Sequence, residues 1–209
     1  MDNVTIHLGA PLIVTIDIKA FFPSVHNDMV YQVWTEALGC SAEIGALLTR
    51  LTTREHHLPL GASTSTMLAN LVLSSVDGPI RKGCEDQAVQ YSTWVDDLAF
   101  SGEQARKIIP IVAKTLKSVG FAVSRKKVKI MGPGTRKVLN GILVGRFPNV
   151  LPERIKQLRS GIHKLRNEDV PHYLGDAYIN QLRSSIVQVG SINSLRAERL
   201  LAEFEQVIQ

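Results

Sequence analysis

Two adjacent aspartates, Asp96 and Asp97, separate two short runs of strand-forming residues. Residues 91–95 before them are rich in aromatic and β-branched side chains, and the apolar residues 98–100 follow at once. Because only two residues separate the runs, the pattern predicts a β-hairpin with Asp96 and Asp97 at its tip. Tight hairpins favour Asn-Gly or Asp-Gly in such a turn, and two adjacent carboxylates repel each other, so this turn requires an explanation.

Two explanations remain open from the hairpin alone. Aspartate is a common turn residue, so the pair could be an acidic surface turn. Alternatively, the carboxylates could bind a divalent cation, because Mg²⁺ prefers carboxylate oxygens and substrate phosphates. A metal site needs a further carboxylate, and Asp17 is a candidate because it directly follows the buried strand predicted at residues 12–16. Asp17 could instead cap a helix, although Pro23 interrupts any helix that begins there.

The composition is that of an ordinary globular protein with a basic charge balance. The chain has 209 residues and a net charge of +5, which makes a polyanionic partner plausible. Cys40 and Cys84 stand in no metal-binding or redox spacing, a pattern typical of a reduced cytoplasm, so we expect a cytoplasmic location. No apolar run approaches the ~18 residues that suggest a membrane span, and we therefore expect no membrane contact.

Helices and strands alternate up to about residue 150, and the rest of the chain is predicted to be helical. Apolar spacing predicts helices at residues 27–38 and 41–52, and we expect their apolar stripes to be core. A glycine-containing turn at residues 58–65 precedes a further predicted helix at residues 66–76. The turn either binds phosphate or is a plain capped loop. The remaining predicted elements are a helix kinked at Pro110 (residues 103–119), strands at 121–123, 128–131 and 138–144, and helices at 152–166, 176–189 and 195–208.

Five short motifs follow one another along the chain. They are Asp17-Ile-Lys-Ala-Phe-Phe22, Leu58-Pro-Leu-Gly-Ala-Ser-Thr-Ser65 with Leu68-Ala-Asn70, Trp94-Val-Asp96-Asp97, the segment from Gly120 to Lys127, and Leu139-Asn-Gly141. In this order and spacing they resemble the palm of a reverse transcriptase of the prokaryotic retron and group II intron type. The resemblance covers nearly the whole chain.

The motifs depart from the family pattern at several positions. Leu60 stands where the family usually has Gln beside the incoming nucleotide, and Ser63 and Thr66 replace prolines. Trp94 replaces the usual Tyr or Ala. The sequence also begins almost at the first catalytic motif, so we expect the basic N-terminal fingers segment of the family to come from another chain.

The resemblance implies an α+β fold. It predicts a polymerase palm over residues 1–150, with an antiparallel sheet, packed helices and partial fingers helices at residues 24–57. A small all-helical thumb is expected over residues 151–209.

The resemblance also implies an RNA-directed DNA polymerase that adds dNTPs to a primer 3′-OH by nucleotidyl transfer with two Mg²⁺ ions, Mn²⁺ being an alternative. Asp17, Asp96 and Asp97 would be the catalytic carboxylates and metal ligands, with the Ile18 carbonyl as an extra ligand. Phe22 would exclude a ribose 2′-OH.

The other implied roles concern nucleotide and nucleic-acid binding. Leu60 and Gly61 would lie beside the nascent base pair, and Lys127 would neutralise or protonate the leaving pyrophosphate. Trp94 would lie near the primer end. The residues expected to contact nucleic acid elsewhere are Asn140 and Gly141 near the primer grip, and Arg154, Arg159 and Lys164 along the thumb.

The implied partners are an RNA template, a DNA or RNA primer, dNTPs and a fingers-bearing protein chain. An alternative is a catalytically weak or inactive palm–thumb subunit that binds nucleic acid. A palm-fold nucleotide cyclase is disfavoured because its Gly-Gly-Asp/Glu-Glu-Phe hairpin is absent. The sequence does not separate phage-defence, retron and mobile-element roles.

Overall fold

The computed structural model of the chain describes residues 2–167 and 175–208. They form two compact units, Ala10–Thr135 and Met1–Gly9 with Arg136–Gln209. We call the first the sheet unit and the second the helical unit. This division lies upstream of residue 150, and the palm–thumb boundary predicted there remains a prediction.

Strands and helices are numbered in chain order. The strands are β1 (Ile13–Asp17), β2 (Gln90–Trp94), β3 (Asp97–Ser101), β4 (Lys129–Met131), β5 (Val138–Leu139), β6 (Ile142–Val144) and β7 (Pro148–Val150). The helices are α1 (Asp2–Thr5), α2 (Phe21–Ser24), α3 (Asn27–Gln32), α4 (Ala42–Thr52), α5 (Ser65–Glu85), α6 (Ile108–Ser118), α7 (Pro152–Arg166), α8 (Gly175–Gly190) and α9 (Ser194–Ile208). A π-helical turn, Val33–Ala37, continues α3, and short 3₁₀ turns occupy Ala105–Lys107 and Arg125–Lys127.

The sheet unit is built on one antiparallel sheet with the strand order β2-β3-β1-β4. β1 is central and apolar, and the side chains of Ile13, Val14 and Ile16 are fully buried. Helix α5 packs on the sheet because it buries an apolar residue at about every fourth position. These residues are Leu68, Val72, Val76 and Ile80. The central strand therefore brings its last residue, Asp17, to the end of a rigid sheet.

Two helices of the sheet unit differ from the sequence prediction in their ends. Helix α5 continues past the predicted end at Val76 and includes Pro79. Helix α6 begins only at Ile108, so Pro110 lies in its first turn. A proline in the first turn removes no intrahelical hydrogen bond, and the expectation that Pro110 kinks a longer helix is therefore wrong.

The apolar stripe of α4 is not core, contrary to the sequence prediction. The side of α4 that packs inward carries Gly45 and Thr49, and a Cβ at Gly45 would come within 2.7 Å of Thr35 Cγ2. The apolar residues on the other side, Ile44, Leu47 and Leu51, are between 49% and 72% exposed. Close approach of α3 to α4 through the glycine explains why the larger side chains point outward.

The helical unit combines a small antiparallel sheet, in the order β5-β6-β7, with α7, α8 and α9. Pro152 is the first residue of α7, a position where its fixed φ and missing N–H suit a helix start. The three helices share one apolar core. Its largest buried members are Leu158, Ile162, Leu182, Ile186, Leu200 and Phe204.

Antiparallel sheets with helices packed against them confirm the predicted α+β class. Within the described residues, none of the helices combines the length and the hydrophobicity that a membrane crossing needs.

Candidate active site

Two of the predicted catalytic carboxylates lie directly opposite each other on neighbouring strands. In the antiparallel pairing of β1 with β3, Asp17 is the partner of Asp97. Directly paired residues project from the same face of a sheet with their Cβ atoms ~5 Å apart. Asp17 is buried, with 8% of its surface exposed, whereas Asp97 is exposed. Strand pairing alone therefore brings together two carboxylates that are 80 residues apart in the sequence.

The third carboxylate, Asp96, lies in the two-residue turn between β2 and β3. Trp94 pairs with Asp97, which leaves Val95 and Asp96 as the turn. The prediction that Asp96 and Asp97 form the tip is therefore wrong by one residue, because Asp97 already belongs to β3. The Ile18 backbone N–H donates a 3.2 Å hydrogen bond to the Asp96 carbonyl oxygen, which fixes the turn to the end of β1.

Val95 has a φ of +57°, in the left-handed region. Positive φ at the first position of a two-residue hairpin turn is the requirement of a type II′ turn, which normally has glycine there. A β-branched residue in this conformation is a genuine outlier. The hairpin that carries the aspartates is therefore strained as well as charged.

A lysine from a distant part of the chain contacts the buried carboxylate. Lys127 Nζ donates a 2.9 Å hydrogen bond to Asp17 Oδ1. Lys127 belongs to the 3₁₀ turn Arg125–Lys127, and the Ser124 N–H just before that turn donates to the Asp17 carbonyl oxygen at 2.8 Å. The backbone of this segment therefore holds the lysine beside the end of β1.

The carboxylates affect one another electrostatically. Although Asp97 is an exposed residue, the protein around its carboxyl group partly excludes water. This desolvation, followed by the negative charges of Asp96 and Asp17, raises the pKa of the Asp97 carboxyl group above its ordinary value of 3.8. Lys127 and Lys129 partly oppose that rise. The hydrogen bond to Asp17 and the charge of that carboxylate raise the pKa of Lys127. Negative charge is thus concentrated at one end of the sheet, with Lys127 as its bonded counter-ion.

The donor set of this centre suits a hard divalent cation. It offers carboxylate oxygens, which Mg²⁺ prefers, and Asp17 already bonds a cation, the Lys127 ammonium. Across residues 2–167 and 175–208, however, no three His, Cys, Asp or Glu side chains are grouped so that they could hold a metal ion as they stand. The residue types fit the ion, and the present arrangement pairs Asp17 with lysine instead.

The residues predicted near the nucleotide lie in the same unit. Phe21 is buried, with its ring centroid 5.6 Å from that of Phe121, and Phe22 is the partly exposed member of the pair. Leu60 is exposed, and Gly61 has a φ of +87° with open space on the side where a Cβ would project. The Ser65 hydroxyl donates to the Pro59 carbonyl oxygen at 2.7 Å, which closes the loop that carries Leu60 and Gly61.

A groove of about 490 Å³, which the sequence motifs do not predict, lies beside the hairpin. Its polar wall includes Asp77 and Arg81, joined by a 2.6 Å hydrogen bond from Arg81 Nε. The exposed indole of Trp94 also lines it. The i,i+4 spacing of an acid and a base on one helix was the available sequence signal. Trp94 and Arg81 thus present an aromatic face and a positive charge on one surface.

The helical unit contains the other predicted nucleic-acid contacts. Residues 138–144 form a hairpin and not the predicted continuous strand, because β5 and β6 pair around the turn Asn140–Gly141. Arg154 and Lys164 on α7 are exposed. Arg159 donates two hydrogen bonds, 2.9 and 3.2 Å long, to the Glu203 carboxylate. The three basic residues therefore differ in how free they are to contact phosphate.

Most of this chain is similar in sequence to proteins of a known family. The family model described as reverse transcriptase (RNA-dependent DNA polymerase) matches residues 2–175. The retron Ec86 reverse transcriptase of Escherichia coli is 29% identical over 182 residues, which cover 84% of this chain and 57% of that protein. The retron Mx65 reverse transcriptase of Myxococcus xanthus is 28% identical over 216 residues, which cover 93% of this chain and 49% of that protein. The chain thus spans about half the length of these relatives.

Among solved structures, telomerase from Candida albicans in complex with a fragment of telomeric RNA matches with a TM-score of 0.54 at 12% identity. The match covers 97% of this chain and 49% of the telomerase chain. This likeness concerns the fold, and it confirms the predicted fold class of a palm followed by a helical thumb. Since the family model covers most of the sequence, the chain belongs to the reverse transcriptase (RNA-dependent DNA polymerase) family.

Proposed function

We propose that the chain is the palm and thumb of an RNA-directed DNA polymerase that adds dNTPs to a primer 3′-OH on an RNA template. The observation that carries the proposal is the direct pairing of Asp17 with Asp97 beside the turn that holds Asp96. Carboxylates that repel one another on a rigid sheet are unfavourable without a cation. Family membership supplies the reaction class.

The proposed centre uses two Mg²⁺ ions, with Mn²⁺ as an alternative, held by Asp17, Asp96 and Asp97 and by the Ile18 carbonyl. Such ions, when bound, stabilise the attacking and leaving oxygens of an in-line displacement. The chain itself orients these carboxylates through the pairing of β1 with β3. Lys127, which bonds to Asp17, would neutralise or protonate the leaving pyrophosphate.

The test is extension of a primer annealed to an RNA template, with Mg²⁺ present or chelated. The proposal expects single-nucleotide extension that requires the metal and is lost in Asp17→Asn. Asp86→Asn, which removes an exposed carboxylate at the end of α5, serves as the matched control and keeps the activity. Extension that persists after chelation would contradict the proposed chemistry.

A second candidate is a palm–thumb subunit that binds nucleic acid without catalysis. It is favoured by one observation, namely that among the described residues the acidic side chains are not already grouped as a metal site. This candidate predicts binding of a primed RNA template with no metal-dependent extension by the wild-type protein. The extension assay therefore separates the two functions.

We propose that Phe22 selects the deoxyribose sugar. Phe21 is buried against Phe121, which leaves Phe22 as the ring available to a ligand. A ribose hydroxyl buried without a partner costs ~1–3 kcal/mol, or roughly a five- to hundredfold discrimination. Phe22→Ala should admit ribonucleotides, measured as the ratio of rNTP to dNTP incorporation. Phe21→Ala should instead lower stability by about 3–5 kcal/mol, as core phenylalanine truncations do.

The proposed nucleic-acid surface of the helical unit uses Arg154 and Lys164 more than Arg159, because Arg159 is already paired with Glu203. Phosphate contacts release counterions, so affinity falls as salt rises, and each contact makes the slope of log affinity against log salt concentration steeper by about 0.7–0.9. Replacing Arg154 and Lys164 by alanine should make that slope shallower by about 1.5. Replacing the exposed Arg50 on α4 should leave it unchanged. An unchanged slope in the double variant would exclude this surface.

The remaining expected contacts follow from the same proposal. Trp94 would lie near the primer end, and Asn140 and Gly141 near the primer grip. Leu60 and Gly61 would face the nascent base pair. A fingers-bearing segment, on this polypeptide or another chain, would complete the triphosphate site. A cytoplasmic location remains the prediction made from the cysteines.

A further inference from the structure

The hydrogen bond between Lys127 and Asp17 joins an exposed side chain to a buried one. The Lys127 side chain is 63% exposed, whereas that of Asp17 is 11% exposed. The bond is 2.9 Å long and joins the ammonium to Oδ1, a carboxylate oxygen that a metal ion would also use. A cation, the Lys127 ammonium, is therefore already bonded to one oxygen of the Asp17 carboxylate.

The position of this lysine is fixed by the backbone. The Ser124 N–H donates to the Asp17 carbonyl oxygen at 2.8 Å, and the Lys127 N–H donates to the Ser124 carbonyl oxygen at 2.9 Å. The Lys19 N–H adds a bond to the Ala122 carbonyl oxygen at 2.8 Å. Two of these backbone bonds thus connect the end of β1 to the segment that carries the lysine, and the bond from Lys127 to Ser124 closes the turn within that segment. The ammonium reaches Asp17 because the fold places its main chain there.

The neighbouring lysines differ from Lys127. Lys126 is exposed in the same short turn, and Lys129 belongs to β4, where it pairs with Thr15. Among the described residues of the sheet unit, Lys127 forms an ion pair with Asp17. Neither Lys126 nor Lys129 forms an ion pair with any of the three aspartates. Lys126 is therefore a matched control, because it has the same charge and is also exposed.

An ammonium and a divalent cation compete for one carboxylate. Both need the lone pairs of its oxygens, and their positive charges repel each other at such short separations. A metal ion that binds Asp17 must therefore either displace Lys127 or bind against its charge. Without metal, the lysine offsets part of the repulsion among the aspartates.

We propose that Lys127 is a built-in competitor of the divalent metal, neutralising Asp17 in the metal-free protein and leaving Asp17 when the metal binds. The inference rests on the proposed function, since it requires a metal at Asp17. Metal loading then releases a positive charge beside the carboxylates, where a triphosphate could meet it. The lysine lowers the affinity for metal and stabilises the metal-free centre.

The test is a Mn²⁺ titration followed by electron paramagnetic resonance of the free ion, which needs no catalysis. Lys127→Met removes the charge and keeps most of the side-chain length. It should bind Mn²⁺ with a dissociation constant at least about twofold lower than wild type, as expected for losing one competing ion pair. Lys126→Met should bind as wild type does. Lys127→Arg, which keeps the charge, should also stay close to wild type.

Thermal unfolding gives an independent readout. In chelator, Lys127→Met should melt below wild type, and saturating Mn²⁺ should remove that difference. Equal or weaker metal affinity in Lys127→Met overturns the inference while leaving the proposed function intact. If Asp17→Asn binds Mn²⁺ as wild type does, no metal binds at Asp17, and the proposed function fails with it. Circular dichroism of each variant checks that it is folded.

Discussion

Two hairpins of this protein have turns of the same length and opposite character. Val95 and Asp96 join β2 to β3, and Asn140 and Gly141 join β5 to β6. In the second turn both residues have positive φ, 49° and 76°, and Asn-Gly is the preferred sequence for that type I′ geometry. In the first turn the residue with positive φ is a valine, at 57°.

The difference shows what local chemistry explains and what it does not. Asn140 and Gly141 satisfy the backbone requirement of their turn, so nothing further is needed to account for them. Val95 and Asp96 add backbone strain to carboxylate repulsion, and Asp97 adds a further charge. Strain that a fold maintains against local preference concentrates at functional sites. The comparison therefore supports the function proposed for the first hairpin, whereas local turn chemistry alone accounts for the backbone of the second.

The strongest loss of activity is expected from a change at Asp96. Asp96→Asn keeps the shape of the turn but removes an anionic group that is proposed to bind Mg²⁺, an ion that prefers carboxylate oxygens. Primer extension should fall at least about 100-fold, since the metal contributes several kcal/mol of transition-state stabilisation. Melting temperature without metal should stay equal or rise, because one repelling charge is gone.

Asp86→Asn again serves as the control and should keep both activity and melting temperature. Extension by Asp96→Asn at the wild-type rate would remove the functional reason for the strained hairpin. The difference between the two turns would then be unrelated to catalysis.

The second prediction uses pH to separate the two units. His7, in the helical unit, is fully buried, and burial lowers its pKa from 6.5 to about 4. The unfolded chain therefore binds a proton more readily between these values, and stability falls as pH drops from 6.5 towards 4. The loss is at most about 3 kcal/mol.

Asp97 has the opposite effect on how stability changes with pH. Its raised pKa means that the folded protein holds the carboxyl proton more tightly than the unfolded chain does. Stability from this group is therefore present at low pH and is lost as pH rises from 3.8 through the raised value. Acidification should thus weaken the helical unit and relieve repulsion around the β2–β3 hairpin.

Residue-resolved hydrogen exchange at pH 6.5 and 4.5, corrected for intrinsic rates, measures both effects. Protection should fall in α7–α9 on acidification and should not fall in β1 and β3. A His7→Gln variant should lose the pH response of the helical unit. Equal loss of protection in both units would contradict the opposite signs assigned to His7 and Asp97.

Exchanging the turn residues should change stability only mildly. Gly141→Val places a β-branched side chain at a φ of 76° and should lower the free energy of unfolding by about 1–2 kcal/mol. Val95→Gly removes the strain but makes the unfolded chain more flexible, so the net gain should stay below about 1 kcal/mol. Urea unfolding measures both changes. Val95→Ala also removes the packing of this partly buried side chain but keeps a Cβ, and it is therefore the control. A Val95→Gly variant less stable than Val95→Ala would show that the conformation at residue 95 is not strained.

The sequence predicted the parts of the fold that depend on neighbours along the chain. Apolar run length located β1 and its terminal Asp17, and Pro152 marked the first residue of α7. The predicted hairpin tip lies one residue too late because Val95 has the side chain of a strand former. The pattern predicts one continuous strand across Asn140 and Gly141, although Asn-Gly is a strong turn signal, because the flanking apolar runs are very short.

Features that depend on distant packing were not predictable. The stripe of Ile44, Leu47 and Leu51 has helical spacing, but periodicity does not say which side of a helix meets the core. The bond between Lys127 and Asp17 joins residues 110 positions apart. Family resemblance assigned both residues to one centre, while their direct contact required the backbone path of residues 122–127.

The pairing of β3 with the central strand β1 also limits where this protein can gain or lose residues during evolution. Side chains alternate between the two faces of a strand, so a single added or deleted residue within Asp97–Ser101 would turn every later side chain to the opposite face. Such a change would either remove Leu98 and Phe100 from the apolar core or separate Asp97 from Asp17. Length variation among homologues should therefore avoid β1 and β3 and accumulate in loops such as residues 132–137. An alignment of natural sequences should show gap-free columns from Trp94 to Ser101.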